Sequence, residues 1–346
     1  MEREFREREI PVHVLEYRGI SLRPGRALPL FREARAFFRR FLGILRDRRV
    51  RIVHSYLPAG NLLGTFSGTI ARVPARIVSK RALCGYKAGH PVVSFLEDLA
   101  NLAADAVMVN SMAVAEDVRR NERFTGGKIF LVYNGIDLWK AETRPVGDLF
   151  PALSGQRGIL SIVCVANLFP YKGHRDLVEA ARIVVDSEPG ARFLLVGEDR
   201  GERAPLRSMI ASLGLEDHML LAGPRADAAA IVAASDLVVQ PSHEEGFPNS
   251  VLEGMAASKA VVATNVGGIP EAIADGVTGI LVPPRDPPAL ANALLSLLAD
   301  PDRARRMGIA GRDRVAAMFS VDRMVSEVER AYDALLAGKP AGRALS

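Results

Sequence analysis

Two glutamates, Glu245 and Glu253, stand eight residues apart on either side of Pro248. Proline favours the first helical position, so the sequence predicts a helix that begins near Pro248, with Glu253 on its first turns and Glu245 in the preceding loop. A helix N-terminus presents unpaired backbone N–H groups and a partial positive charge, which suit a diphosphate. The carboxylates could then accept hydrogen bonds from hydroxyl groups at its two ends, one on a sugar and one on a ribose. The spacing therefore predicts a nucleotide-sugar site.

Alternating strands and helices must position these carboxylates. Short β-branched runs predict strands at 12–15, 50–53, 75–79, 106–110, 129–132, 160–166, 192–196, 219–222, 237–240, 260–264 and 279–282. Helical periods between them indicate an α/β protein with two Rossmann-like domains that face each other across a cleft. Prolines and glycines between Asp137 and Gly158 indicate the join. The predicted divisions are an acceptor-side domain at 1–142, a nucleotide-sugar domain at 143–318 and a C-terminal part at 319–346, whose helix at 322–336 crosses back to the first domain.

Composition narrows the class of protein. The 346 residues are 49% hydrophobic and 25% charged, which is typical of a globular chain long enough for two domains. Cys84 and Cys164 lie far apart in apolar surroundings, so neither a disulfide framework nor a zinc site is expected. The charged first nine residues do not form a signal peptide, and no apolar run reaches the length of a membrane-spanning helix. We expect a cytoplasmic protein.

A basic amphipathic helix is predicted over 29–49. Phenylalanines and aliphatic residues recur there at spacings of three and four, interleaved with seven of the arginines that contribute to the net charge of +5. One interpretation is a peripheral contact with anionic lipid headgroups on the inner face of the membrane. The other is a crossover helix that packs its apolar side on a sheet. Nucleic acid is not an expected partner, because no recognition motif accompanies the charge.

The two glutamates and their surroundings resemble a known enzyme family. Their spacing is that of the E-x7-E motif of retaining glycosyltransferases with the GT-B fold, and the continuation through 256–271 and 276–284 is similar to glycosyltransferase family 4. The resemblance implies transfer of a hexose, with net retention, from a UDP- or GDP-linked sugar to a lipid-linked or glycan acceptor of cell-envelope or exopolysaccharide type. No cofactor and no metal are expected, because the D-x-D arrangement is missing and the histidines are scattered.

The resemblance assigns roles on the donor side. Glu245 would bind the transferred sugar, Glu253 the ribose and Lys172 the diphosphate, with Lys172 alternatively an exposed loop lysine. Asn167 stands where many relatives carry an arginine, so Arg175 or a first-domain arginine would have to supply that charge. The further donor-binding positions are Gly246, Phe247, Asn249, Ser250, Gly197 and Arg225. Gly197 and Arg225 could instead belong to tight turns.

The first half offers weaker candidates for the acceptor side. His54 is expected to end a strand and to face the acceptor, unless it is a structural histidine. Lys80 and Arg81 are two adjacent cations that would suit a phosphorylated acceptor or complete a helix C-terminus. The stretch 134–137 resembles a family motif at the end of the first domain, and a turn made from Asn-Gly is an equally good interpretation.

One departure from the family pattern opens a second functional class. Relatives begin with a strand, a glycine-rich turn and a helix, and this chain is expected to start after that unit. A truncated nucleotide-sugar-binding protein with weak or no catalysis is therefore the alternative to a transferase. A dinucleotide oxidoreductase is disfavoured because no G-x-G-x-x-G follows any strand, and a P-loop is also absent.

Overall fold

The computed structural model describes residues 11–13, 27–87, 89–138 and 159–342. Its first sheet has four parallel strands in the order β1-β2-β3-β4. The strands are β1 (Ile52–Tyr56), β2 (Ala75–Lys80), β3 (Ala106–Val109) and β4 (Ile129–Leu131). The helices are α1 (Ala27–Asp47) before β1, then α2 (Pro58–Ala71), α3 (Pro91–Ala103) and α4 (Met112–Asn121) between successive strands.

The second sheet has six parallel strands in the order β10-β9-β8-β5-β6-β7. Its strands are β5 (Leu160–Val165), β6 (Ala191–Val196), β7 (Met219–Gly223), β8 (Leu237–Gln240), β9 (Ala260–Thr264) and β10 (Ile280–Val282). The helices between them are α5 (His174–Ser187), α6 (Arg203–Ser212), α7 (Ala228–Ala234), α8 (Asn249–Ala256) and α9 (Ile269–Ala272). After β10 come α10 (Pro287–Leu298), α11 (Pro301–Met318) and α12 (Val321–Leu336). Winding reverses between the neighbouring strands β5 and β8, which makes the loops that follow them the expected ligand-binding edge.

Helices cover both faces of the second sheet, as alternating side chains of its strands require. Ile162 and Cys164 of β5 belong to one apolar cluster with Leu177 of α5 and Leu294 of α10. Val163, between them, belongs to a cluster on the opposite face with residues of α7, α8 and α9. This layered core fixes the strand ends that carry the site.

The last helix joins the two domains. Met324, Val328 and Ala331 of α12 pack against Ile77 and Met108 of the first sheet. The helix expected at 322–336 begins one residue earlier, at Val321, and makes these contacts with the first sheet.

The predicted strands from 50 onward are confirmed, with boundaries within one residue except for the first. The run at 50–53 predicts a strand that ends before Tyr56, whereas β1 spans Ile52–Tyr56 and His54 lies in its middle. Of the candidate at 12–15, residues 11–13 are described and are not in a strand, and the remainder lies outside the described residues. The proposed join lies almost wholly in the undescribed segment 139–158. The expectation about how the chain starts is likewise not tested by the described residues.

The predicted basic helix is confirmed as α1. Leu45 is buried and packs with Phe41, Val53 and Val73, which accounts for the apolar side of the helix. The basic side chains at the C-terminal end of this segment are exposed, namely Arg39, Arg40, Arg46, Arg48 and Arg49. Within the described ranges, no helix combines the length and apolarity needed to cross a bilayer.

Candidate functional site

The switch between β5 and β8 brings together Lys172 and Glu245. Lys172 ends a short 3₁₀ turn, Pro170–Lys172, in the loop after β5, and Glu245 lies in the loop after β8. Because these parallel strands are neighbours, their following loops meet at one edge of the sheet. The Lys172 Nζ atom lies 2.6 Å from Glu245 Oε1. The two residues predicted to act on the sugar diphosphate thus form an ion pair.

Two glycines allow the loops to approach so closely. Gly173 has φ +69°, and a Cβ atom there would lie 1.8 Å from the carbonyl oxygen of Pro241. Gly267 has φ +51°, and a Cβ atom there would lie 1.7 Å from the carbonyl oxygen of Glu245. Only glycine combines a positive φ with the absence of a side chain. These positions therefore set the backbone that carries Lys172 and Glu245.

A network of polar side chains orients the Glu245 carboxylate, which is 8% exposed. Its Oε1 atom accepts hydrogen bonds from Ser242 Oγ at 2.7 Å and Gln240 Nε2 at 3.2 Å, in addition to Lys172. Gln240 Oε1 in turn accepts a hydrogen bond from Ser250 Oγ at 2.7 Å. Sequence reasoning missed Gln240 and Ser242, although polar residues at the end of a buried apolar strand are a recognisable signal.

The helix start predicted between the glutamates is confirmed as α8. It begins at Asn249, and Pro248 occupies the N-cap position with φ −81° instead of the first helical position. Asp286, Asp300 and Ser320 cap the starts of α10, α11 and α12 with their side chains, whereas no side chain caps α8. The amide groups of the first turn of α8 are therefore not committed to a side-chain cap, which is the arrangement that an anion site requires.

Glu253, one turn into α8, has no hydrogen-bond or ion-pair partner among the described residues. Burial raises the pKa of this carboxyl group above its usual range. A partly buried carboxylate without a partner costs free energy of folding, so its presence needs another explanation. Glu253 follows the helix start in the chain and lines a different pocket from Glu245, which precedes it.

A pocket of about 360 Å³ lies beside Glu253 at the carboxyl ends of β5 and β6. Six of the predicted donor-binding residues line it, namely Asn167, Gly197, Arg225, Asn249, Ser250 and Glu253. The side-chain oxygen of Asn167 accepts a hydrogen bond from the backbone N–H of Glu198 at 2.9 Å. Arg225 forms a two-point contact with Asp227, at 2.8 and 2.7 Å. The structure thus brings these residues together, and their roles toward a donor stay predictions.

A second pocket, of about 470 Å³, opens between the two domains. Lys172, Glu245 and Gly246 line one side, and Arg81 lies on the other. Residues that sequence reasoning did not assign also line it, namely Tyr86, Tyr171 and Glu244. Burial lowers the pKa of Arg81, but the guanidinium has a very high ordinary pKa and stays charged. A first-domain arginine is therefore present in the cleft, whereas Arg175 is largely exposed and pairs with Glu202.

Asn134 connects this arginine to the start of α8. Its side-chain oxygen accepts a hydrogen bond from Arg81 at 2.6 Å. Its nitrogen donates to the Phe247 carbonyl at 3.2 Å and to Asn249 Oδ1 at 2.7 Å. The Phe247 ring packs against Tyr133 and is buried, so only the backbone of Phe247 is available to a ligand. Asn134 therefore has a defined contact across the domain boundary, which its sequence context did not reveal.

Two acceptor-side expectations need correction. Both ring nitrogens of His54 are engaged, Nδ1 with Tyr332 Oη and Nε2 with Ser79 Oγ, each at 2.7 Å. Burial, with a smaller contribution from Arg81, lowers the pKa of His54 to about 4, so these contacts match the structural alternative. Lys80 does not extend into the cleft beside Arg81. It is buried, with Nζ 3.2 Å from Glu97 and 2.9 Å from Glu122, because the strand alternation directs it into the first domain.

No group of three or more His, Cys, Asp or Glu side chains in the described ranges is arranged to hold a metal ion. Both cysteines are buried and free. The independence from metal that the resemblance implies stays a prediction.

Comparisons with known proteins identify the family of the chain. Residues 160–300 match the family described as Glycosyl transferases group 1, and residues 2–140 match Glycosyltransferase Family 4. The chain is 32% identical over 303 residues to alpha-maltose-1-phosphate synthase of Mycolicibacterium smegmatis, covering 78% of this chain and 75% of that protein. The chain belongs to glycosyltransferase family 4.

Two further similarities describe the family 4 chain more fully. It is 24% identical to the capsular polysaccharide biosynthesis glycosyltransferase CapM of Staphylococcus aureus, covering 96% of this chain and 92% of CapM. A crystal structure of Anabaena HepE in complex with UDP-glucose has the same fold, with a TM-score of 0.79, 23% identity and coverage of 96% and 88%. The architecture is therefore GT-B. For some curated relatives, the matched region spans only about half of their length, 53% and 52%.

Proposed function

We propose that the protein is a retaining glycosyltransferase that moves a hexose from a nucleotide sugar to a lipid-linked or glycan acceptor without a metal ion. One observation carries the proposal: two carboxylates flank an N-terminus of α8 that has no side-chain cap. Glu245 on one side is oriented by an ion pair, and Glu253 on the other has no partner among the described residues. A ligand with hydroxyl groups at both ends of a diphosphate would bind the amides of α8 through its diphosphate and the two carboxylates through its hydroxyl groups.

Bond cleavage in such a transfer leaves negative charge on the departing diphosphate. Hydrogen-bond donors and positive groups that are already oriented toward this charge lower the barrier most, because they need no reorganisation during the reaction. The amides of α8, the Lys172 ammonium group and the Arg81 guanidinium group would together supply that positive environment. Arg81 would replace the arginine that is absent at position 167, since Asn134 links it to the start of α8.

Retention is the outcome that the family resemblance implies for this transfer. Oε1 of Glu245 is held by Lys172, Ser242 and Gln240, which leaves Oε2 to accept hydrogen bonds. We therefore assign Glu245 to the sugar hydroxyls and to the orientation of Lys172.

The pocket beside Glu253 would hold the nucleoside. Glu253 would accept hydrogen bonds from the ribose hydroxyls, and Gly197 and Arg225 would border the base, with UDP or GDP as the nucleotide. HepE was crystallised with UDP-glucose, which supports a donor of this class by analogy of fold.

On the acceptor side, similarity to CapM supports a role in polysaccharide biosynthesis. We place the protein in the cytoplasm, where nucleotide sugars are available. The exposed arginines near the end of α1 would hold it at the inner face of an anionic membrane, where a lipid-linked acceptor is presented.

A thermal-shift panel of UDP, GDP and ADP sugars in the presence of EDTA tests the proposal. A ligand that binds only the native state raises the melting temperature, and we expect one nucleotide class to do so without metal. The bound sugar is then tested for hydrolysis and transfer by product analysis. Absence of any shift, or a shift only with added divalent metal, contradicts the proposal.

A nucleotide-sugar-binding protein without turnover is the second candidate. Asn167 favours it, because its side chain carries no charge and its oxygen is engaged by Glu198. Under this alternative a nucleotide sugar raises the melting temperature, and neither hydrolysis nor transfer follows at any enzyme concentration.

A further inference from the structure

The basic side chains in and near the pocket between the domains already have partners in the protein. Lys80 is buried with Glu97 and Glu122 in the first domain. Lys172 is paired with Glu245, and Arg81 is hydrogen-bonded toward the start of α8 through Asn134. In the part of the pocket beside Gly85, the described lining residues add no further cation to Lys172 and Arg81.

Glu244 occupies that part of the pocket. Among the described residues it has no hydrogen-bond or ion-pair partner, and its carboxylate lies directly over Gly85. A Cβ atom on Gly85 would be 3.0 Å from one carboxylate oxygen and 3.2 Å from the other. Burial is the main cause that raises the pKa of Glu244, with contributions from Asp117 and Glu245, whereas Lys172 acts in the opposite direction.

Two exposed tyrosine rings border the same pocket. Tyr86 is 45% exposed and Tyr171 is 43% exposed. The Tyr86 hydroxyl donates a hydrogen bond to the buried Glu97 at 2.8 Å, and the Tyr171 ring stacks on Phe169 at 5.3 Å. Both rings are thus held in place and present apolar surface with a polar rim, which suits a polyhydroxylated ring better than an extended apolar chain.

We infer that this pocket binds an uncharged sugar ring of the acceptor, and that Glu244 selects it by accepting hydrogen bonds from its hydroxyl groups. The inference rests on the proposed function and defines its acceptor class. A carboxylate accepts strong hydrogen bonds from hydroxyl groups, whereas it repels a phosphate or carboxylate on an acceptor. Glu244 is therefore a specificity-determining residue, separate from Glu245 and Glu253.

Transfer assays with matched acceptors test this inference. The donor is the nucleotide sugar found by thermal shift, and the acceptors are methyl glycosides of glucose, galactose, mannose and N-acetylglucosamine, each paired with its 6-phosphate. We expect the wild-type protein to use at least one methyl glycoside and to use its 6-phosphate at least about tenfold less well, as repulsion by an unpaired carboxylate requires.

Two substitutions isolate the carboxylate. Glu244→Gln should raise the acceptor KM about tenfold or more, because a hydrogen bond to a charged group is lost. The donor KM should change much less. The ratio of kcat/KM for the methyl glycoside to kcat/KM for its 6-phosphate should fall. Gly85→Ala keeps the charge but displaces the carboxylate, so it should raise the acceptor KM as well. The double variant should be little worse than Glu244→Gln alone, since both changes act through one group.

Glu216→Gln is the matched control, because Glu216 is an exposed carboxylate outside both pockets. Equal use of both acceptor classes by the wild-type protein overturns the inference. So does an unchanged acceptor KM in Glu244→Gln, or donor hydrolysis without transfer to any methyl glycoside. Failure of the proposed function itself is distinguishable, because then either no nucleotide sugar binds or one binds and neither hydrolysis nor transfer follows.

Discussion

Two groups of lysines and glutamates in this chain use the same residue types for different purposes. In the first domain, Lys80, Lys87, Glu97 and Glu122 form a buried cluster in which every side chain is 2–7% exposed. Each lysine contacts both glutamates, so the four charges balance. Asn101 donates a further hydrogen bond to Glu122 at 2.7 Å.

The cleft group differs in both balance and access. Lys172 and Glu245 form a single pair on the wall of a pocket, with Lys172 18% exposed. Glu244 and Glu253 lie nearby without partners among the described residues. A closed, balanced set of buried charges is satisfied within the fold and is costly to break, whereas charges left unbalanced beside a cavity are available to a ligand. The comparison assigns the buried cluster to structure and the cleft group to function.

The pKa values of two glutamates express the same contrast. Burial alone would raise the pKa of Glu122, but Lys80, Lys87 and Asn101 outweigh it and lower the pKa to about 2. Burial raises the pKa of Glu253, and no neighbouring group opposes it. Glu122 therefore stabilises the fold when ionised, and Glu253 destabilises it when ionised.

The largest expected effect is on stability, from Glu122→Ala. This substitution leaves two buried lysines with one glutamate, and removal of one member of a buried ionic group costs about 3–5 kcal/mol. Urea denaturation monitored by circular dichroism measures it. Glu216→Ala is the surface control and should change the free energy of unfolding by less than about 0.5 kcal/mol. If Glu122→Ala lowers the free energy of unfolding by less than about 1 kcal/mol, the buried cluster does not stabilise the fold as proposed.

Glu245→Ala should have the next largest effect, on catalysis. We expect turnover to fall about 100- to 1000-fold, comparable to the loss of a preorganised group that stabilises transition-state charge. The free energy of unfolding should fall less than in Glu122→Ala, because Lys172 can turn to solvent in the open cleft. Steady-state kinetics and urea denaturation of the same preparation test this. Parallel loss of activity and stability would instead identify a structural glutamate.

Glu253→Gln should weaken binding of the nucleotide-sugar donor without lowering the free energy of unfolding. The loss of a hydrogen bond to a charged group predicts about tenfold weaker nucleotide-sugar binding, or about 1.5 kcal/mol. The ligand-free variant should be as stable as the wild type or more stable, since an unpaired buried charge is removed. Calorimetric titration measures the affinity for the nucleotide sugar, and thermal unfolding measures the stability of the ligand-free protein. Unchanged affinity would exclude Glu253 from the ribose site.

The smallest expected effect is a difference in pH dependence. The pKa of Glu253 is higher in the folded protein than in the unfolded chain, so its protonated form favours folding. The stability that this group contributes is present below the unfolded pKa and is lost as pH rises through the raised folded pKa. Glu253→Gln should therefore gain stability relative to the wild type between pH 4 and pH 7. Urea denaturation across that range tests the sign, and a relative loss would contradict it.

Sequence patterns predicted what depends on neighbours along the chain. Short β-branched runs located the strands from β1 to β10, and Glu245, Pro248 and Glu253 located the start of α8, because these signals lie within one element or one loop. The family resemblance suggested the residues that line the pocket beside Glu253, and they lie together because parallel strands bring the loops at their carboxyl ends to one edge.

Features that depend on distant partners were not predictable in this way. Lys80 was expected beside Arg81 in the cleft, but its partners Glu97 and Glu122 lie far along the chain. The contacts of Asn134 across the domain boundary and the isolation of Glu244 also arise only when the domains meet. Charge balance is a property of tertiary structure, so residue type alone could not separate the two groups.

Calorimetric titration of the nucleotide sugar into wild type and Lys172→Met, in EDTA, tests the central assignment most directly. If the cleft pair serves the ligand, the wild type binds without metal and Lys172→Met binds about tenfold or more weakly, with little loss of stability. Equal affinity in the two proteins, together with marked destabilisation of Lys172→Met, would show that the cleft pair is structural like the buried cluster and would contradict the account.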